Sequence, residues 1–248
     1  MKKMVTLFLV SLAVLSVKGH AATGAPLTGN EVLKKIDDQQ LTKDKTSVAV
    51  MKLIDSSGTT TERTLKMYTK GSNYHLIKFL APANIKGTGF LSRSTDNMWV
   101  YLPALGRVRR IVGQTSHGSF MGSDFNYKDL SSEGIAKDFT ATVDSFKNGE
   151  YKLSLRPKSA DSPYSKLKIW VKDDTFVPLR IAFYDPEGKL LKILLNTEIK
   201  KIGDKWFPMT MTMTNVQENH KTEITVKELK IDTGLKNSLF TERTLKEE

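Results

Sequence analysis

Beyond residue 21 the chain carries three histidines, His75, His117 and His220, and it has no cysteine anywhere. The histidine spacings do not form a zinc motif, and thiolate ligands do not exist here. Gly113 to Gly118 has the glycine spacing of a phosphate-binding loop. Ser119-Phe120 stand where a Lys-Ser/Thr pair must reach phosphate and magnesium, so that chemistry is not supported. Asp173 and Asp174 are adjacent carboxylates in a turn, where aspartate is favoured for backbone reasons. No G-x-S-x-G elbow occurs. Without a nucleophile–base pair or a metal-ligand set, the expectation is a protein that is not an enzyme, with no catalytic residues, no metal and no cofactor.

The residues that do stand out are apolar and basic. Trp99 to Leu130, "WVYLPALGRVRRIVGQTSHGSFMGSDFNYKDL", joins aromatic strand residues (Trp99, Tyr101), clustered arginines and a glycine-flanked Phe120-Met121. Read as a strand, Arg107, Arg109 and Ile111 share one face while Val108, Arg110 and Val112 share the other. The valines predict that Arg110 is enclosed. An enclosed guanidinium needs a partner, either Asp124 or Asp129, or the phosphate or carbonyl of a bound lipid. The segment Gly113–Gly122 then reads either as a hinged flap over an apolar opening or as a loop pinned by Phe120.

Phe207 to Thr214 alternates strictly, placing Met209, Met211 and Met213 on one face. Methionine fills irregular gaps and recurs where varied apolar ligands bind. The alternatives are a core stripe under a helix or the wall of a cavity. Leu167, Ile169 and Val171 form another row, as do Leu179, Ile181 and Phe183, and Leu191, Ile193 and Leu195.

These residues must be positioned mainly by strands. One helix is predicted over Asn30–Leu41, capped by Thr28 or Asn30. Period-two segments follow at 47–55, 60–69, 73–80, 89–93, 98–102, 107–112, 139–146, 151–156, 166–172, 179–184, 190–199, 207–215 and 222–231, separated by turn residues such as Asn148-Gly149 and Asp185-Pro186-Glu187-Gly188. A short helix after Ser123, with Ser123 as cap and Asp124 at its positive end, is also expected. The fold class is mainly β (α+β), a strongly curved antiparallel sheet forming an open or incomplete barrel. So many apolar rows leave two outcomes, an interior filled by side chains or an apolar cavity suited to a lipid.

Lys2 and Lys3 followed by the apolar run Met4–Val17 and the small residues Gly19-His20-Ala21 have the layout of a secretory signal. The run is shorter than the ~20 residues that span a bilayer. Cleavage is expected near Ala21, giving a signal peptide at 1–21, a linker at 22–29 and one domain at 30–248. Export without cysteine suits a bacterial periplasm. The chain has 38 basic and 27 acidic residues, a formal charge of +11, of which Lys2, Lys3 and Lys18 lie in the leader. The excess fits attraction to anionic headgroups; nucleic acid is not an expected partner of an exported chain.

"FLAPANIKGTGFL" (Phe79–Leu91), "MWVYLPALGRVRRI" (Met98–Ile111) and "GSFMGSDFNYKDL" (Gly118–Leu130) resemble the periplasmic outer-membrane lipoprotein-sorting proteins of the LolA-like superfamily, a likeness running from Tyr68 to the C-terminus. The resemblance implies a half-open curved sheet with helices over its concave apolar face, and carriage of acyl chains through the periplasm. It also implies an association with an inner-membrane lipid exporter and an outer-membrane acceptor. The candidate lipid contacts are Trp99, Tyr101, Arg110, Phe120, Met121, Phe183, Met209, Met211 and Met213. The other reading is a non-enzymatic adaptor with a filled barrel and a basic docking surface.

Overall fold

The computed structural model describes residues 26–247, so the signal-peptide expectation lies outside the described residues. Helix α1 (Gly29–Gln40) opens on a capping box in which Thr28 and Glu31 satisfy each other's backbone N–H groups. Thirteen strands follow: β1 (Asp44–Ile54), β2 (Thr60–Lys70), β3 (Tyr74–Ala81), β4 (Gly89–Ser94), β5 (Asn97–Leu102), β6 (Arg107–Ile111), β7 (Phe139–Lys147), β8 (Glu150–Pro157), β9 (Lys166–Lys172), β10 (Pro178–Tyr184), β11 (Leu190–Ile202), β12 (Lys205–Asn215) and β13 (His220–Ile231). Short helices α2 (Tyr127–Leu130) and α3 (Ile135–Asp138) lie between β6 and β7, and α4 (Glu242–Lys246) ends the chain.

All thirteen strands form one antiparallel sheet in the order β6-β5-β4-β3-β2-β1-β13-β12-β11-β10-β9-β8-β7. Every neighbour is a sequence neighbour except β1 and β13, so two meanders join along that pair. The outermost strands, β6 and β7, do not pair with each other, and the sheet stays open. The chain between them, with α2 and α3, crosses from one edge to the other. A single core cluster takes inward side chains from both halves of the sheet and Val32, Leu33 and Ile36 of α1, which requires the sheet to curl around them.

Helix α1 sits close to the β7 edge because Gly29 has no side chain. A Cβ there would lie 2.4 Å from the carbonyl oxygen of Ala141, a backbone atom with no freedom to yield. Gly29→Ala is expected to cost about 1–3 kcal/mol, the range for overpacking, measured by urea unfolding. Unchanged stability would mean that α1 does not dock this way.

The other face of β3–β5 carries a second, smaller cluster. Leu76 and Leu91 are covered there by Phe240 and Leu245 of the C-terminal segment, with Trp99, Tyr101 and Val108 packed around them. Lys78 donates to the carbonyls of Leu245 and Glu247 and holds that segment down.

Three local expectations are corrected. Arg110 does share a face with apolar Val108, but that face is the outer one: Arg110 pairs across the strands with Trp99, is exposed, and donates to Asn97 at 3.0 Å. Val112, beyond the strand, is 53% exposed. In β11 the inward residues are Lys192, Leu194 and Asn196, as their partners Phe183, Ile181, Met213 and Met211 show, whereas Leu195 is 43% exposed. The helix cap is Asn126, in a capping box with Asp129, and not Ser123.

Candidate functional site

The inward rows do not fill the interior. Between the sheet, the C-terminal end of α1 and the α2–α3 crossover lies a cavity of about 800 Å³, at the upper part of the range of small-molecule pockets. Met67, Leu167, Ile181, Phe183, Leu194, Met211 and Met213 form much of its apolar wall. They meet there because alternation brings each to the same face: Ile181 stands opposite Leu194, Leu194 opposite Met213, and Asn196 opposite Met211.

The crossover is fastened to the sheet by buried polar contacts. The Asp129 carboxylate accepts from Lys192 Nζ at 3.0 Å, Tyr164 Oη at 2.8 Å and the Asn126 N–H at 2.9 Å. Lys192 Nζ also donates to the Asp124 carbonyl at 2.8 Å. Burial and the adjacent Asp129 carboxylate push the Tyr164 hydroxyl well above the ordinary tyrosine range. The Asp124 side chain accepts from Thr222 Oγ1 at 2.6 Å and contacts His220 Nδ1 at 2.8 Å. Thr222 is fully buried and aims its proton at the carboxylate rather than at the imidazole, so this trio is not a nucleophile–base pair. On the α1 side, Asp37 accepts from the N–H groups of Ile135 and Ala136, both at 2.8 Å, and burial raises its pKa despite those bonds. Among the described residues no group of three or more metal-ligating side chains is gathered to hold an ion.

One part of the wall is polar. Lys45, Thr69 and His75 stand opposite one another across β1, β2 and β3, and all three border the cavity. His75 Nε2 lies 3.1 Å from the Ser72 carbonyl, which makes that nitrogen the protonated one and leaves Nδ1 bare. Burial, aided by the charge of Lys45 and opposed by the Ser72 bond and Glu133, holds the imidazole pKa at about 4. Burial also lowers the pKa of Lys45.

The nine sequence candidates separate. Phe183, Met211 and Met213 border the cavity; Met209 is buried in the same row but does not border it. Phe120 is fully buried against Phe79, Phe90 and Tyr127, and pins its loop instead of tipping a flap. Met121 is half-buried with a left-handed backbone, and Arg63 donates to its carbonyl. Trp99, Tyr101 and Arg110 belong to the outer face. Lys45 and Thr69 also line the cavity and are not singled out by the sequence, Lys45 lying just before the predicted strand 47–55; Ile181 stands out there only in an apolar row and His75 only as a histidine outside any zinc motif.

The fold and this cavity can be set beside known proteins. Residues 71–247 match the model of a family described as an uncharacterized protein. A domain from Vibrio parahaemolyticus named for outer-membrane lipoprotein sorting is 33% identical, with a TM-score of 0.81 over 88% of this chain and 98% of that one. The chain belongs to the LolA-like lipoprotein-sorting superfamily. A DUF1329 family protein from Desulfovibrio piger is 31% identical, with a TM-score of 0.83 over 88% of this chain and 97% of that chain. A LolA superfamily protein from Nitrosomonas europaea, at 19% identity and a TM-score of 0.74 over 88% of this chain and all of that one, shares the fold. No match was found among curated proteins. The resemblance from Tyr68 to the C-terminus is thus matched by a shared fold.

Proposed function

We propose that this LolA-like protein is a non-enzymatic periplasmic carrier that encloses acyl chains of a lipid or lipoprotein and moves them toward the outer membrane. The observation that carries this reading is the cavity itself: about 800 Å³ of void walled largely by aliphatic, aromatic and methionine side chains. Burying a methylene is worth about 0.8 kcal/mol, so a 16-carbon chain would gain roughly 13 kcal/mol if wholly enclosed. The row of methionines suits a site that accepts chains of different shape. An inner-membrane exporter as donor and an outer-membrane acceptor complete the proposal. The adaptor reading required a filled interior, which the void does not favour.

Filling the void tests the proposal. Met211→Trp is expected to weaken binding of a fluorescent fatty acid at least tenfold while the thermal midpoint moves by only a few degrees. Full binding by a folded Met211→Trp protein would mean that the acyl chain goes elsewhere. Native mass spectrometry of protein taken from its own periplasm should show co-purified lipid mass; a bare chain under gentle desolvation would count against the carrier.

A further inference from the structure

The cavity wall is not uniformly apolar, and its charges are unequally matched. Among the described residues, the acidic groups bordering the void have counterparts. Asp129 pairs with Lys192, Glu133 with Lys137 at 2.7 Å, Asp38 with Lys34 at 3.9 Å, and Asp37 accepts two backbone N–H bonds. Asp138 lies among Lys128, Lys137 and Lys158. Lys128 and Lys158 donate to the carbonyls of Asp161 and Ala136. Lys45 is different. It borders the same void, is half-buried, and its pKa is lowered by burial with no carboxylate acting on it. No ion pair and no hydrogen bond holds it among the described residues; the Phe207 ring lies 5.8 Å from Nζ to the centroid.

Holding an ammonium half-buried against an apolar wall without a counter-charge is unfavourable, and a folded protein normally pairs such a group. Here the groups beside it are of the wrong kind to do so. Thr69, directly opposite, offers a hydroxyl, and His75, one strand further, offers a neutral ring. Directly opposed residues have Cβ atoms about 4.5–5.5 Å apart, so the three polar heads converge on one patch of the wall. An ammonium, a hydroxyl and an imidazole around an apolar chamber are complementary to an amphiphile with an acid group.

We propose that Lys45, with Thr69 beside it, is the acid-group site of the cavity, and that the preferred ligand is an anionic amphiphile whose carboxylate or phosphate pairs with the Lys45 ammonium. The inference rests on the carrier reading and names the class of its cargo. Binding moves no covalent bond; it supplies the counter-charge that the fold leaves out. A single charge-assisted contact of this kind is worth a factor of roughly 10–100 in affinity.

The test uses the folded chain loaded with N-phenyl-1-naphthylamine, a neutral apolar fluorophore, displaced by pairs of ligands that differ only in the head. Palmitate is expected to displace it at least tenfold more tightly than 1-hexadecanol, and lysophosphatidate more tightly than monopalmitoylglycerol. The larger of the two gaps tells a fatty acid from a phospholipid source. Lys45→Met should close both gaps, while Lys45→Arg should keep them. A second reading is independent of variants. Palmitate should raise the pKa of the His75 ring, followed by NMR, because it offsets the neighbouring charge; hexadecanol should not. Equal affinity for acids and neutral ligands, or gaps that persist in a folded Lys45→Met protein, would overturn the acid-group site and leave the carrier standing. Failure of the parent to bind the fluorophore or any of the four ligands would overturn both.

Discussion

Replacing Asp129 with alanine should cost about 3–5 kcal/mol of unfolding free energy, the range for stranding one member of a buried ion pair. Lys192 is 5% exposed and has two acceptors, the Asp129 carboxylate and the Asp124 carbonyl. Removing the carboxylate leaves a buried ammonium between the Tyr164 and Phe183 rings, whose centroids lie 5.2 and 5.6 Å away. It also strands the Tyr164 hydroxyl and the Asn126 N–H, both of which donate to Asp129. In a chain of this size the loss corresponds to a fall in Tm of about 6–20 °C. Lys192→Met alone should cost less, because Asp129 keeps those two other donors. The double variant Asp129→Leu/Lys192→Met should recover a large part of the single-site loss, the signature of direct coupling. Additive losses in urea unfolding would show that the pair is not a unit. The effect bears on function because Asp129 and Phe183 both border the cavity; loosening this contact frees the crossover that forms one of its walls.

The same pair explains where sequence reading succeeded and where it failed. Alternation alone located all thirteen strands, because a β-strand repeats every two residues and turn residues punctuate each hairpin. It separates the two faces of a strand without saying which face is inside. In β11 the aliphatic row Leu191, Ile193 and Leu195 suggested an inner face, yet Lys192, Leu194 and Asn196 point inward. A lysine normally marks the solvent side; here it is neutralised by an aspartate 63 residues earlier, and that partnership is invisible locally. Arg110 failed for a related reason. Both faces of β5 carry apolar residues, because Trp99 and Tyr101 on the outer one pack with Phe240 and Leu245 of the C-terminal segment, whose five-residue α4 has little sequence signature, and Val108 of β6 joins that cluster beside the exposed Arg110. The two glycines flanking Phe120-Met121 suggested a hinge, but Phe120 meets the Phe79 and Phe90 rings from distant strands and Tyr127 from its own crossover. The short helix after Ser123 was expected, but its cap was misplaced: Asn126 with Asp129 three residues on forms the capping box, a short-range pattern that the reading of Ser123 passed over. The cavity residues Phe183, Met211 and Met213 were legible, since their rows are long and regular. Lys45 was missed because the predicted strand began at residue 47, whereas β1 starts at Asp44 and gives Lys45 the parity of Ala49, Met51 and Leu53.

His75 should make stability fall on acidification in a way that one substitution removes. Its ring is held neutral in the fold, with a pKa of about 4 against an ordinary 6.5. Above pH 6.5 the folded and unfolded chains are both neutral at this residue, and stability is complete. Between pH 6.5 and 4 the unfolded chain takes up a proton that the folded chain refuses, so stability falls as pH falls. Below pH 4 both bind the proton and the loss levels off. The groups acting on the ring are Lys45, which opposes its protonation, and Glu133 and the Ser72 carbonyl, which favour it; burial outweighs them all. The full excursion is worth about 2–4 kcal/mol. Carboxylates such as Asp37 and Glu133 titrate nearby, and comparison with His75→Gln separates them from the ring. Glutamine can still donate to the Ser72 carbonyl but does not titrate. The variant should lose about 2–4 kcal/mol less than the parent between pH 7 and pH 4 in paired urea-unfolding series. Parallel curves for the two proteins, or an NMR titration placing the His75 ring near 6.5, would show that the imidazole is solvated and that the polar row does not sit in an enclosed chamber. Because the lowered pKa depends on burial beside an uncompensated Lys45, the same titration in Lys45→Met should move the His75 midpoint upward, linking the pH response to the charge inside the cavity.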